Sequence, residues 1–391
     1  MIRFLEIHHG NEVRKMDIYE ELGVKKLINA AGTYTSVGAS KMDIQTLQAM
    51  VQASQNYVSM EKLLKNVNEK IAQMTDNEAA FVCNSCSTAI YLTAAAFVAK
   101  KYHKPFKYLT KEQIERCEMI GFWNQHIPYD HAIEQLGVKL KFIGDTTPMG
   151  GLNRETLHMA ITENTVGIYF APRTPRGYYS PKQLNLEDLI EVAHEHDLPV
   201  LVDAAAQLPP KSNLWELTKM GADVVTFSGG KDLAGPQASG LALGKKEYLN
   251  IISETGFPNY SAGRIMKVGR EEIIGLYTAL KLYLQEDEDA RKEWCEEQIV
   301  ELQKGLEESK LYMVKRCWPN QAGQPLPRAF VDLDEKASIN GEMLAEKLME
   351  GEPGIYAITE GRNGVYVNPM CMCEGEMKKI IERLNEIERS F

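Results

Sequence analysis

Two charged residues stand directly after apolar runs in the middle of the chain. Asp203 closes LPVLVD, and Lys231 follows DVVTFS through Gly229 and Gly230. They are 28 residues apart (203 to 231), with one strand–helix unit between them. A charge at such a position is costly to bury unless it is paired or hydrogen-bonded. An α/β sheet binds ligands at the carboxyl ends of its strands, so side chains leaving neighbouring strand ends face one small molecule. An amine opposite a carboxylate in that setting suits pyridoxal 5'-phosphate (PLP). The Lys231 amine reaches the aldehyde to form an imine. The Asp203 carboxylate holds a proton on the pyridine nitrogen, which makes the ring an electron sink. Ala204 and Ala205 are small enough for a flat ring to lie against the backbone, and Gly229 and Gly230 permit a tight turn and close approach. Taken singly, Asp203 reads as a helix cap and Lys231 as a solvated turn lysine. Their pairing, with the glycines and both strand contexts, favours the cofactor.

The phosphate end of PLP needs hydrogen-bond donors at a helix start. CNSCSTAI, residues 83–90, follows one strand-like run and opens a helix, so the backbone N–H groups of Ser85, Cys86 and Ser87, with the serine hydroxyls, are directed at an anion. Plain N-capping by Ser85 or Ser87 is the competing reading. Ser228 is a second phosphate candidate. Ala205, Gln207 and Gly230 complete the cofactor-binding set. Arg173 and Arg176, in APRTPRGYY, follow another strand end and suit a substrate carboxylate.

The elements that must position these groups are legible in the hydrophobic pattern. AAFVC (79–83), KLKFIG, TVGIYFA, LPVLVDA, DVVTFS and ASGLALG are apolar runs of strand length. Between several of them lie helical segments, among them 61–74, STAIYLTAAAFVAKK, 186–197 and 213–221. Strand and helix in alternation mean an α/β fold with a mostly parallel sheet covered on both faces. From about residue 270 the pattern changes to long helices, REEIIGLYTALKLYLQ and DARKEWCEEQIVELQKGLEE. Strands at RAFVDLD and GVYVNP and a last amphipathic helix, GEMKKIIERLNEIER, predict a small α+β domain. The expected division is an N-terminal segment, 1–40, packing near the small domain; a large PLP-binding domain, 41–285; and a small C-terminal domain, 286–391.

Bulk properties exclude several classes. The formal net charge of -10, from 54 acidic and 44 basic residues, argues against a general nucleic-acid binder. The opening MIRFLEIHHGNEVRK lacks an apolar core of signal-peptide length, and no run of about 18 apolar residues occurs. A cytoplasmic protein without a membrane partner is expected. Seven cysteines fit reduced, buried thiols better than a disulfide framework. Cys83/Cys86 and Cys371/Cys373 lack a nearby His at ligand spacing, so no metal is expected.

Several segments together, INAAGTYTSVG (28–38), CNSCSTA, YDHAIEQLG (129–137), PVLVDAAAQLPP, SGGKDLAGPQASG and GRIMKVGREEIIGL, resemble the selenocysteine-synthase-like branch of fold-type-I PLP enzymes. Within it the likeness is to D-glucosaminate-6-phosphate ammonia-lyases. It runs from about residue 17 to the C-terminus, and SGGKDLAGPQASG is its most specific part. The resemblance implies a seven-stranded large domain, a small domain, and a homodimer or larger assembly with sites at subunit interfaces. It also makes Lys231 the PLP lysine and Asp203 the pyridine partner. Arg264 and Lys267, in GRIMKVG, match a cation pair that selenium-transferase relatives use for an anionic substrate; such a pair suits a phosphate or carboxylate. Arg362 is a further candidate. The chain departs from many lyase-like relatives in having Gln125 and His126 where they have His-Arg.

The implied activity is α,β-elimination, with ammonia release to a 2-keto acid, on a polar, anionic amino acid such as D-glucosaminate 6-phosphate. Transamination, racemisation and aldol cleavage share the same lysine and aspartate. Selenium transfer on seryl-tRNA is a further alternative, disfavoured by the acidic balance and the few residues ahead of MDIYEELG. A non-catalytic scaffold would have no need of Lys231 and Asp203.

Overall fold

The structure is a computed structural model that describes residues 17–144, 152–172 and 184–391. Arg173 and Arg176 lie outside the described residues. Twelve strands occur among the described residues. They are β1 (Leu27–Asn29), β2 (Ala79–Cys83), β3 (Glu118–Phe122), β4 (Lys139–Ile143), β5 (Thr165–Phe170) and β6 (Val200–Asp203). β7 (Val224–Ser228), β8 (Gly240–Gly244), β9 (Tyr312–Cys317), β10 (Arg328–Leu333), β11 (Gly354–Tyr356) and β12 (Gly364–Val367) follow.

Seven strands form one sheet in the order β2-β8-β7-β6-β5-β3-β4. From β7 to β4 every neighbour is parallel, while β8 runs antiparallel to both β2 and β7. The parallel strands are buried almost throughout because helices cover both faces, which is why they read as unbroken apolar runs. One face packs under Leu64, Ile71, Leu189, Leu217, Ile273 and Leu276, and the other under the helix Cys86–Lys101 with Ile133, Leu249 and Ile252. Helix Cys86–Lys101 is buried nearly all round, so its apolar residues show no single stripe. Gly167 on β5 leaves the space that Phe97 of this helix fills: a Cβ there would lie 2.5 Å from the ring.

Most sequence-derived elements have close counterparts. REEIIGLYTALKLYLQ is the helix Arg270–Gln285, and the segment 61–74 is the helix Met60–Met74. Strand β3 was not among the expected strands. Its EMIGF carries a charge at one end and a glycine inside, both weak strand signals, yet Gly121 is where the Phe142 ring of β4 fits, 3.1 Å from the position of a Cβ.

The chain forms two compact units. The larger comprises Gly32–Glu297 and Cys317–Arg328; the smaller comprises the described part of Met1–Ala31, with Gln298–Arg316 and Ala329–Phe391. In the smaller, β1 pairs with β11 in parallel, and β9, β10 and β12 form a sheet in the order β12-β10-β9 with β10 and β12 antiparallel. Compactness therefore ends the N-terminal contribution to the smaller unit at Ala31 and carries the larger unit through Glu297, where the hydrophobic pattern suggested 40 and 285. No helix among the described residues is long and apolar enough to cross a membrane.

Candidate functional site

Asp203 is the last residue of β6 and is 5 % exposed. Its register partner on the parallel neighbour β7 is Thr226, so the loop after Ser228, which carries Lys231, leaves from the same sheet end. Asp203 Oδ1 accepts hydrogen bonds from Ala205 N (3.0 Å) and Cys86 Sγ (3.5 Å), and Oδ2 accepts one from the Tyr169 hydroxyl (3.1 Å). Three donors and no cation within ion-pair distance, among the described residues, surround a buried carboxylate. A protonated ring nitrogen would suit a carboxylate so placed.

The loop bearing Lys231 is folded tightly. Gly229 N donates to Ser239 O, and Gly235 N to Gly229 O. Gly230 O accepts from Ser40 Oγ (2.8 Å) and Gln237 Nε2 (2.7 Å). A Cβ on Gly229 would sit 2.1 Å from Ser239 Oγ, and one on Gly230 2.7 Å from Gln237 Cα. Close approach, rather than an unusual backbone angle, is what these two glycines supply. Lys231 Nζ lies 5.7 Å from the centroid of the Tyr129 ring, within cation–π range.

The helix start at Cys86 meets the same sheet end. Ser228 pairs with Gly240 across β7 and β8, and a Cβ on Gly240 would fall 2.2 Å from Ser85 C and 2.6 Å from Cys86 N. The bare glycine thus lets the helix terminus rest on the strand beside Ser228. Ser85 is the N-cap: its Oγ accepts from Thr88 N (3.0 Å), and Thr88 Oγ1 also donates to Asn84 Oδ1 (2.6 Å). Capping therefore occupies Ser85, while the first-turn N–H groups of Cys86 and Ser87 have no intrahelical acceptor. Cys86, expected to offer its backbone N–H to the phosphate, turns its thiol to Asp203. Burial, followed by the Asp203 charge, pushes its pKa well above the ordinary thiol range, while Lys231 pulls the other way.

Other candidates are placed differently. Gln207 is buried, and its Nε2 is tied to the carbonyls of Pro172 (2.9 Å) and Ala322 (3.3 Å). Arg264 is half-buried, with its guanidinium over the rings of Phe257 (5.4 Å) and Tyr260 (5.7 Å), and Lys267 is exposed. Neither has a hydrogen bond or ion pair to the Asp203–Lys231 group among the described residues. Arg362 lies over Phe330 in the smaller unit.

Sequence reasoning missed Tyr169 and Arg291, and it met Tyr129 and Asp130 only within YDHAIEQLG, without giving either a role. A tyrosine inside TVGIYFA was the available signal, because a buried phenol usually finds a hydrogen-bond partner. Gln125, at the departure from the family pattern, accepts from Ala171 N at 2.9 Å, which fixes it to the end of β5. His126 Nδ1 lies 2.7 Å from Asp130 Oδ2.

The residues present fit PLP. Asp203 offers a buried carboxyl, Lys231 an amine at the adjoining strand end, and the helix terminus at Cys86 a set of N–H donors.

Comparison with known proteins places the chain in a family. Residues 27–309 match the family model described as "SelA: L-seryl-tRNA selenium transferase". A D-glucosaminate-6-phosphate ammonia lyase of Salmonella typhimurium is 26% identical over 382 residues, covering 95% of this chain and 98% of that relative. An L-seryl-tRNA(Sec) selenium transferase of Haemophilus influenzae is 28% identical over 316 residues, covering 74% of this chain and 62% of that relative. Among solved structures, a D-glucosaminate-6-phosphate ammonia-lyase superposes with a TM-score of 0.79 at 24% identity, over 96% of this chain and 99% of that one. The fold is the type I fold of PLP-dependent enzymes.

Proposed function

The chain belongs to the L-seryl-tRNA selenium transferase (SelA) family, and on that premise we propose that it is a PLP-dependent lyase releasing ammonia from a phosphorylated amino sugar acid such as D-glucosaminate 6-phosphate. The observation that carries the reading is Asp203: a buried carboxylate with three donors and, among the described residues, no cation within ion-pair distance, at the strand end adjoining Lys231. The likeness over nearly the whole length of an ammonia lyase supports the substrate class.

PLP, when bound, supplies an aldehyde for amines and a ring that accepts an electron pair. Lys231 Nζ would hold it covalently and, once freed, take the proton from the substrate α-carbon as general base. Asp203 would keep a proton on the pyridine nitrogen, with Tyr169, Cys86 and Ala205 N–H orienting its oxygens. Ser87 and the first-turn N–H groups at Cys86 would receive the cofactor phosphate. Arg264, steadied by two aromatic rings, would receive the substrate phosphate together with Lys267. The β-hydroxyl departs as water, water returns on hydrolysis, and the amine leaves as ammonia, so the overall change is redox-neutral. An apolar stripe on the exposed side of the helix Ile44–Ser54, made by Ile44, Leu47 and Val51, supports self-association into a homodimer or larger assembly.

Incubation of the PLP-loaded protein with D-glucosaminate 6-phosphate, with and without a keto-acid acceptor, tests the reading. Ammonia released without acceptor, and lost in Lys231→Ala, is the expected outcome. Acceptor-dependent amine transfer, or a protein that takes up no visible chromophore when saturated with PLP, rejects it.

A further inference from the structure

Two imidazoles meet at the opposite end of the sheet from Asp203 and Lys231. His158 lies in the last turn of the helix Arg154–Ala160, which leads into β5. His196 caps the end of the helix Leu186–Glu195, which leads into β6. His158 Nδ1 and His196 Nε2 are 2.8 Å apart, and the planes of the two rings are inclined by 54°. The two residues are 38 positions apart in the chain, and the reaction proposed above uses neither.

At this distance one ring nitrogen must carry a proton and the other a lone pair. Glu195 Oε2 lies 3.4 Å from His158 Nε2 and favours the tautomer protonated there. The His158 Nδ1 lone pair then faces His196 and accepts its Nε2 proton. A carboxylate behind a histidine in this way also orients an imidazole as a metal ligand and raises its basicity. The surroundings are negative. Arg154 pairs with Asp188, Glu191 and Glu195, so three carboxylates share one guanidinium. Lys100 and Lys101 line the groove that His196 borders, but the first is paired with Glu247 and the second donates to the Glu163 carbonyl.

We propose that His158 and His196 form a two-histidine site for a divalent transition cation of the Ni²⁺ or Cu²⁺ type, which takes the place of the proton between them and ties the two helices together. The His196 proton moves to Nδ1, so both rings stay neutral and each gives one lone pair. Two nitrogens about 2.1 Å from one ion are about 3.0 Å apart at a right angle and about 3.4 Å apart at the tetrahedral angle. The observed 2.8 Å is nearer the right angle, which Ni²⁺ and Cu²⁺ adopt with imidazole ligands. His196 is exposed, so its ring is free to turn the small amount that brings both lone pairs onto one ion. Among the described residues no group of three His, Cys, Asp or Glu side chains is placed to hold an ion, so water fills the remaining positions.

The test titrates Ni²⁺ into the full-length protein by calorimetry. All samples carry His8→Gln and His9→Gln, since two adjacent histidines would bind the ion as well. Against that background stand His158→Gln, His196→Gln, the two combined, and Glu195→Gln. Glutamine keeps hydrogen-bonding groups but offers no imidazole, and thermal unfolding with and without Ni²⁺ follows each protein. One Ni²⁺ per chain is expected to bind, with His158→Gln and His196→Gln each weakening it at least tenfold. The two losses do not add, because either change alone breaks the chelate. Glu195→Gln weakens binding about tenfold, as loss of a carboxylate behind a metal-bound histidine does. Ni²⁺ raises the unfolding midpoint of the background protein and leaves that of either single variant where it was. Mg²⁺, which takes oxygen ligands, does not compete. Single variants that bind as the background protein does, or losses that add, overturn the proposal. Displacement of Ni²⁺ by Mg²⁺ also overturns it and makes the carboxylates around Arg154 the ligands. Should one histidine variant not fold, the other decides by the same two readings. The site stands apart from the lyase reading: a protein that takes up no PLP yet binds Ni²⁺ through these two rings upholds the one and rejects the other.

Discussion

Arg291 grips Asp232, the residue next to Lys231, with two hydrogen bonds: Nη2 to Oδ1 at 2.7 Å and Nη1 to Oδ2 at 3.1 Å. Asp232 is buried, and Glu286 approaches the same guanidinium at 3.4 Å. The lysine loop is thereby fastened to the helix Glu288–Gly305 by a fork that only arginine provides. Arg291→Met strands the Asp232 charge in the interior. We predict a loss of about 3–5 kcal/mol, the usual cost of removing one partner of a buried pair. Urea unfolding measures it, and a variant as stable as the wild type refutes the role.

Gly240 carries a second prediction. A methyl group there would meet backbone atoms of Ser85 and Cys86, which cannot swing aside as a side chain can. Gly240→Ala should cost roughly 1–3 kcal/mol, as overpacking does, and should loosen PLP retention by shifting the helix start. Equilibrium unfolding and cofactor titration read the two effects separately.

The thiols divide by burial. Burial pushes Cys83 and Cys295 up to about 12 and Cys86 higher than its ordinary value, whereas Cys373 is exposed. The thiolate is the reactive form, so alkylation of the folded protein at pH 8 should label Cys373 and spare the other three until denaturant is added. Mass spectrometry of the labelled peptides checks this. Early labelling of Cys86 would mean that the Asp203 surroundings are open to solvent.

Asp130 also predicts a pH dependence. Its folded-state pKa is raised by burial above its unfolded value, which is about 3.9. Its contribution to stability is fully present below that unfolded value and is lost as pH rises through the folded one. Asp130→Asn removes this loss, so the variant gains on the wild type as pH rises from about 4 and then levels off. Urea midpoints across the acid to neutral range would show a constant gap if the reasoning were wrong.

Arg264 gives a prediction about substrate. Its guanidinium has no carboxylate partner among the described residues, and its position is set by Phe257 and Tyr260. Arg264→Ala should raise KM for the phosphorylated substrate about ten- to hundredfold, the range for a hydrogen bond to a charged group, with kcat largely kept. Lys267→Ala, at an exposed position, should do less. A matching drop in kcat would instead place Arg264 among the reacting groups.

Hydrophobic periodicity made the alternation of strands and helices readable, because burial on one or both faces is written locally in residue order. The charges after LPVLVD and DVVTFS were readable for the same reason: each breaks an apolar run where a strand ends. Strand β3 escaped, since Gly121 earns its place only from the Phe142 ring of another strand. Partnership is a different matter. Cys86 meets Asp203 across 117 residues, Tyr169 meets Asp203 across 34, and Arg291 meets Asp232 across 59. The sheet order β2-β8-β7-β6-β5-β3-β4 departs from chain order, and no local pattern encodes which strand ends become neighbours. Residue types and their local setting marked Asp203 and Lys231 for chemistry. Tertiary packing alone decided which groups would orient them: hydrogen bonds act over about 3 Å, and only the folded sheet brings such distant residues that close.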